Sequence, residues 1–85
     1  MKISYTKDFL KTIQNLKPAQ REKLYERIHL CSENPRAAEL RNHKLTGEWT
    51  GYSSINISGD VRAVFEHIDS GIRFVALGTH SQLYK

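Results

Sequence analysis

The chain predicts an α+β fold in which a short N-terminal strand and a two-helix hairpin pack on a small antiparallel β-sheet meander. Three observations carry that expectation. Apolar residues recur at helical spacing as far as Asn34-Pro35, they alternate along three later segments, and turn-forming Gly and Asp residues separate those segments.

Ile3 to Tyr5 reads as the short strand. Thr6 is placed to cap a helix running to about Leu16, with Phe9, Ile13 and Leu16 on one face. Pro18 suits the first turn of a second helix, where its missing N–H costs nothing. Leu24, Ile28 and Cys31 form the apolar stripe of that helix, leaving Arg21, Lys23, Glu26 and Arg27 to face water. Asn34-Pro35 ends it, because a residue before proline is pushed out of the helical region. From Leu45 onward the period falls to two. Tyr52–Ile57, Val61–Ile68 and Ile72–Leu77 are strands rich in β-branched and aromatic residues, joined at Ser58-Gly59-Asp60 and Asp69-Ser70-Gly71.

A chain of 85 residues is read as one domain spanning 1–85. Its net charge of +4 suits a polyanionic partner and equally a merely solubilising surface. Cys31 is the only cysteine, so an internal disulfide is excluded and a reducing, cytoplasmic setting is expected. Its place in the helical stripe makes it a core residue before a nucleophile. The N-terminus carries no signal-peptide pattern and no apolar run reaches membrane-spanning length, so no membrane association is expected.

Strand parity places the polar residues. Three-residue loops at both turns would set Ile68 opposite Ile72, Arg62 opposite Gly78 and Asn56 opposite Arg62. The sheet face free of helices would then carry Ser54, Asn56 and Arg62, with Asp60 and His80 at its margin and room beside the guanidinium at Gly78. Arg62 offers a planar fork of donors to an anionic transition state, or else forms an ion pair with Asp60 or Glu66. His80 is a candidate general acid or base, or an incidental histidine near the end. Tyr84 either stacks on a base, contacts a phosphate or docks the tail. His43, in an expected loop before Lys44, is a second acid or base or a surface histidine. Asp60 orients His80 or simply makes the turn. Trp49 and Tyr52 flank Gly51 and suit turn packing before base stacking.

No metal-ligand cluster, Gly-rich phosphate loop or Ser-His-Asp arrangement occurs, and no cofactor is expected. RNA needs none of these, since its own 2′-hydroxyl can attack the adjacent phosphate once a base, a charge stabiliser and an acid are in place.

Four segments in order resemble the RelE/ParE superfamily of type II toxin–antitoxin toxins, most of all its YafQ-like branch. They are His43-Lys44-Leu45-Thr46-Gly47, Trp49-Thr50-Gly51-Tyr52, Gly59-Asp60-Val61-Arg62-Ala63-Val64-Phe65, and Gly78-Thr79-His80-Ser81-Gln82-Leu83-Tyr84. The resemblance runs essentially end to end. It implies a RelE-like fold and metal-independent endoribonuclease activity on mRNA in the ribosomal A site. It also implies a catalytic set matching His43, Asp60, Arg62, His80 and Tyr84, and a cognate antitoxin that wraps the toxin. Ser54, Asn56, Lys44 and Arg41 are candidates for holding the substrate, and Lys7, Lys11, Arg21 and Arg41 for contacting ribosomal RNA. The chain departs from the YafQ-like pattern at Asn56, where a second histidine is usual, and at Ala76, where an arginine is usual. The resulting expectation is a ribosome-dependent mRNA interferase. The rival expectations are a ParE-like inhibitor of DNA gyrase and a catalytically degenerate antitoxin-binding module.

Overall fold

A computed structural model describes residues 2–84. The chain runs β1 (Lys2–Tyr5), α1 (Lys7–Gln14), α2 (Pro18–Glu33), a 3₁₀ turn (Ala38–Leu40) and β2 (His43–Lys44). A second 3₁₀ turn (Gly47–Trp49) leads into β3 (Tyr52–Ser58), β4 (Val61–Ile68), β5 (Gly71–Thr79) and α3 (His80–Leu83).

Thr6 starts α1 as its chemistry predicts: its hydroxyl accepts the Phe9 N–H at 3.2 Å. The same residue ties the helix to the sheet, its N–H donating to the Phe74 carbonyl at 3.0 Å. Gln14 closes α1, so Leu16 packs on the core from the linker and not from the helix. Leu24, Ile28 and Cys31 are buried along α2, as the stripe requires. Arg21, Lys23 and Arg27 are half-buried where full exposure was expected, because long cationic side chains lie along the apolar surface beside the stripe.

The five strands lie in the order β1-β5-β4-β3-β2. β1 joins β5 in parallel, and every other neighbouring pair is antiparallel. Gly71 admits β1 to that edge, since a Cβ there would collide with the Lys2 carbonyl. His43 and Lys44 form a two-residue edge strand pairing with Ser54 and Ser53, which corrects the expectation of a loop at His43.

Both hairpin turns are shorter than expected. Ile68 pairs with Gly71 and not with Ile72, leaving Asp69 and Ser70 as the turn. Ser58 likewise pairs with Val61 around Gly59-Asp60. Each one-residue shift is then recovered by an irregularity, one between Asn56 and Ser58 and one opposite the Val64–Phe65 step. Arg62 therefore ends opposite both Asn56 and Gly78, the pairing expected from longer turns.

The helices cover one face of the sheet. Ile55, Ile57, Ala63, Phe65, Ile72, Phe74 and Leu77 are buried there against Phe9, Ile13, Leu24, Ile28 and Cys31. Phe74 is the hub, with ring centroids 5.5 Å from Phe9 and 5.3 Å from Phe65. The second face is not the bare polar patch expected, because Ser54 and Val64 are both 0% exposed. The segment after β2 and the residues after β5 fold over it, tied by the Trp49 indole N–H donating to the Leu83 carbonyl at 3.1 Å.

Candidate functional site

On that second face a cavity of about 460 Å³ opens between β2, β4 and the chain end, lined by His43, Lys44, Leu45, Thr46, Arg62, His80 and Tyr84. Arg62 enters it from the middle of the sheet. Its sequence alternative, a structural ion pair, does not form among the described residues. Glu66 is taken by Arg73, whose Nε and Nη2 reach the same carboxylate oxygen at 3.1 and 2.9 Å. Asp60 makes no ion pair among the described residues either.

Three polar atoms of this face are buried with no hydrogen-bond partner among the described residues: Arg62 Nε, Ser54 Oγ and the Tyr84 hydroxyl. Each such group costs about 1–3 kcal/mol of desolvation. Such groups take their partner from ordered water or from a bound ligand.

His43 is held by the turn before it. Its Nδ1 lies 2.8 Å from the Arg41 carbonyl, which can only accept, so Nδ1 carries a proton there, and the neutral form of this tautomer leaves the Nε2 lone pair free. The carbonyl points that way because Arg41 adopts the left-handed conformation, φ 47° and ψ 44°.

His80 opens α3, and Tyr84 follows it one turn later, the two rings meeting edge to face at 4.8 Å. A reciprocal cap fixes this turn. Thr79 Oγ1 accepts the Gln82 N–H at 3.3 Å, and Gln82 Oε1 accepts the Thr79 N–H at 2.8 Å. Gly78 serves that cap and not the guanidinium: a Cβ at Gly78 would stand 2.8 Å from Gln82 Oε1. The space expected beside Arg62 at this position is thus filled by Gln82.

The sequence profile for the bacterial toxin of type II toxin–antitoxin systems, YafQ, matches residues 1–85. The chain belongs to the YafQ toxin family. A Haemophilus influenzae protein named as a YafQ toxin is 30% identical over 94 residues, which cover 96% of this chain and 90% of that one. The crystal structure of YafQ from Escherichia coli BL21(DE3) aligns at TM-score 0.83 with 25% identity, over 99% of this chain and 98% of that one. YafQ in the E. coli DinJ–YafQ toxin–antitoxin complex aligns at TM-score 0.80 with 25% identity, over 99% and 97% of the two chains. A YoeB/ParE toxin from Agrobacterium tumefaciens aligns at 0.75 with 25% identity, over 94% and 99%.

Within this YafQ-family fold, four of the residues singled out as catalytic, His43, Arg62, His80 and Tyr84, line one cavity with Lys44. Asp60 does not line it; it is exposed in the β3–β4 turn and makes no hydrogen bond to His80 among the described residues. Asn56 pairs beside Arg62, Ser54 lies buried beneath the face, and Arg41 acts through its carbonyl. Leu45 and Thr46 line the cavity without having been singled out, and Gln82 organises it; the Thr79-x-x-Gln82 spacing is a readable capping signal. Among the described residues no three His, Cys, Asp or Glu side chains converge as a metal ion requires, and no helix is long and apolar enough to cross a membrane.

Proposed function

We propose that this YafQ-family toxin is a ribosome-dependent endoribonuclease that cuts mRNA in the A site. The observation that carries the reading is Arg62, a guanidinium with a buried, unpartnered Nε in a cavity that also presents two imidazoles and a phenol. His43 Nε2 takes the proton of the 2′-hydroxyl, and the 2′-oxygen attacks the adjacent phosphorus. Arg62 stabilises the charge that builds on the non-bridging oxygens. The bond to the 5′-oxygen breaks, His80 supplies the proton to that leaving oxygen, and a 2′,3′-cyclic phosphate remains. Tyr84, edge-on to His80, positions the imidazole and the substrate. Of the candidate bases His43, Asp60 and His80, His43 is preferred to Asp60 because it lines the cavity, and His80 is assigned the leaving oxygen.

So few groups align free RNA poorly, and the ribosome supplies the missing orientation. The controlling partner is a cognate antitoxin, as in the solved complexes of DinJ with YafQ and of YefM with YoeB.

Primer extension on mRNA held in programmed ribosomes tests the reading. The wild-type chain is expected to give discrete A-site cuts, with cleavage at least about 100-fold slower for Arg62→Ala and for His80→Ala. Full cleavage by Arg62→Ala would remove the mechanism. Intact mRNA with a folded, toxic wild-type chain would remove the activity itself.

A further inference from the structure

A second and larger cavity, of about 610 Å³, opens on the other side of β2 and shares His43 and Lys44 with the first. Strand alternation explains the sharing. His43 pairs with Ser54, whose Oγ belongs to the second face, whereas Lys44 pairs with Ser53, which lines the larger cavity. The two-residue strand is the wall between them.

The larger cavity combines exposed cationic and polar side chains with a buried apolar floor. Arg36, Arg41 and Lys44 stand exposed at its rim, no Asp or Glu lines it, and none of the three makes an ion pair among the described residues. The floor is apolar, formed by Phe65, Ile72 and Cys31, each no more than 2% exposed. Asn42 and His67, both exposed, line the cavity as well. The Asn42 amide donates to the Pro35 carbonyl at 3.1 Å, which orients it. His67 is exposed and sits at a steep angle to Phe65, 74° with centroids 5.8 Å apart.

We propose that this cavity is a nucleotide subsite, which takes the ribonucleotide adjoining the linkage cut in the first cavity. Its phosphate lies on the Arg36 and Arg41 side chains, and its base lies on His67 over the apolar floor. The subsite rests on the RNA-cleaving reading of the first cavity. Single-stranded RNA is recognised by this combination of cations along the backbone and rings beneath the bases. β2 is an edge strand of the sheet and its His43 and Lys44 line both cavities, so an RNA chain seated beside His43 in the first cavity reaches the second by crossing one strand, about 5 Å. An acidic peptide would satisfy the rim charges, but nothing in its chemistry requires a bridge to the Arg62 cavity.

Nuclear magnetic resonance titration of the isotopically labelled protein decides the matter. The probes are an RNA dinucleotide and a tetranucleotide containing it, both with a 2′-deoxy sugar at the attacking position so that neither is cut. The dinucleotide is expected to move the signals of Arg62 and His80. The tetranucleotide is expected to move Asn42 and His67 as well and to bind about tenfold tighter, the gain from one stacked base. Arg36→Gln combined with His67→Ala, both exposed and outside the cleavage machinery, should erase that gain and leave dinucleotide binding unchanged. The log–log slope of tetranucleotide affinity against salt should become shallower by about 0.7, the share of one phosphate that Arg36 no longer neutralises. A tetranucleotide with no gain, or a gain that survives in the double variant, overturns the subsite and leaves the cleavage reading standing. A dinucleotide that moves neither Arg62 nor His80 sinks both. A Glu- and Leu-rich peptide that moves Asn42 and His67 where the tetranucleotide does not would assign the cavity to a protein partner and overturn the subsite.

Discussion

Arg62 is a cation in a strand whose neighbours Ala63 and Val64 are fully buried, and its Nε makes no hydrogen bond among the described residues. Removing an unsatisfied buried donor relieves a desolvation cost, so Arg62→Leu is expected to raise stability in urea by about 1 kcal/mol while abolishing cleavage. A loss of stability comparable to the loss of activity would show that the side chain is structural. Arg41 offers the opposite test, because its contribution to His43 is a backbone carbonyl held by a left-handed conformation. Arg41→Gly should keep the His43 contact and stability, whereas a β-branched Arg41→Val should cost about 1–2 kcal/mol, measured by urea unfolding. Residue type together with strand parity made Arg62 and His80 legible as a pair of interest. The conformation of Arg41 was not legible, since nothing in its sequence context marks a non-glycine residue for positive φ.

At the scale of elements, the cavity depends on a turn with little support of its own. α3 has four residues and buries none of them fully. Its last carbonyls need partners, and the Trp49 indole supplies one at Leu83. Trp49→Phe keeps an aromatic ring against Tyr52 but removes that donor. The expected result is a loss of about 1 kcal/mol in stability. Hydrogen exchange should also quicken at the Tyr84 amide, which bonds to the His80 carbonyl at 2.9 Å. Unchanged exchange there would show that the capping box holds the turn unaided. The helices and the β4 boundaries followed from periodicity, Thr6, Pro18 and Asn34-Pro35, each with a local mechanism. The turn lengths did not, because a one-residue offset at a turn and a compensating bulge leave no separate trace in composition. The two errors cancelled, so the site residues were paired correctly on an incorrect ladder. The strand at His43–Lys44 was missed for a related reason: two residues are too few to show a period.

Across the whole molecule, one buried acid, Cys31, and one half-buried acid, Tyr5, link folding to pH. Burial pushes the Cys31 thiol above its ordinary 9.0. Burial, and then the neighbouring Tyr25, push the Tyr5 phenol above 10.0. The folded chain therefore holds both protons more tightly than the unfolded one. Their contribution is complete below the ordinary values and is lost as pH rises through the raised ones. Urea midpoints should hold steady up to about pH 9 and fall beyond it, with Cys31→Ala flattening the first part of that decline. An alkaline limb unchanged in Cys31→Ala would exclude the thiol as its source. The parallel seam between β1 and β5 has a temporal consequence. Ser4 and Ile72, which meet there, are 68 residues apart in the chain. During synthesis, Tyr5 and Phe9 must wait for Phe74 before their shared cluster can close, so no shorter nascent segment can assemble the hub. Arg62 is already translated by then but has no Gly78 across from it. A toxin built this way has no assembled site while its own chain is still being made, and the site is complete only when the seam shuts.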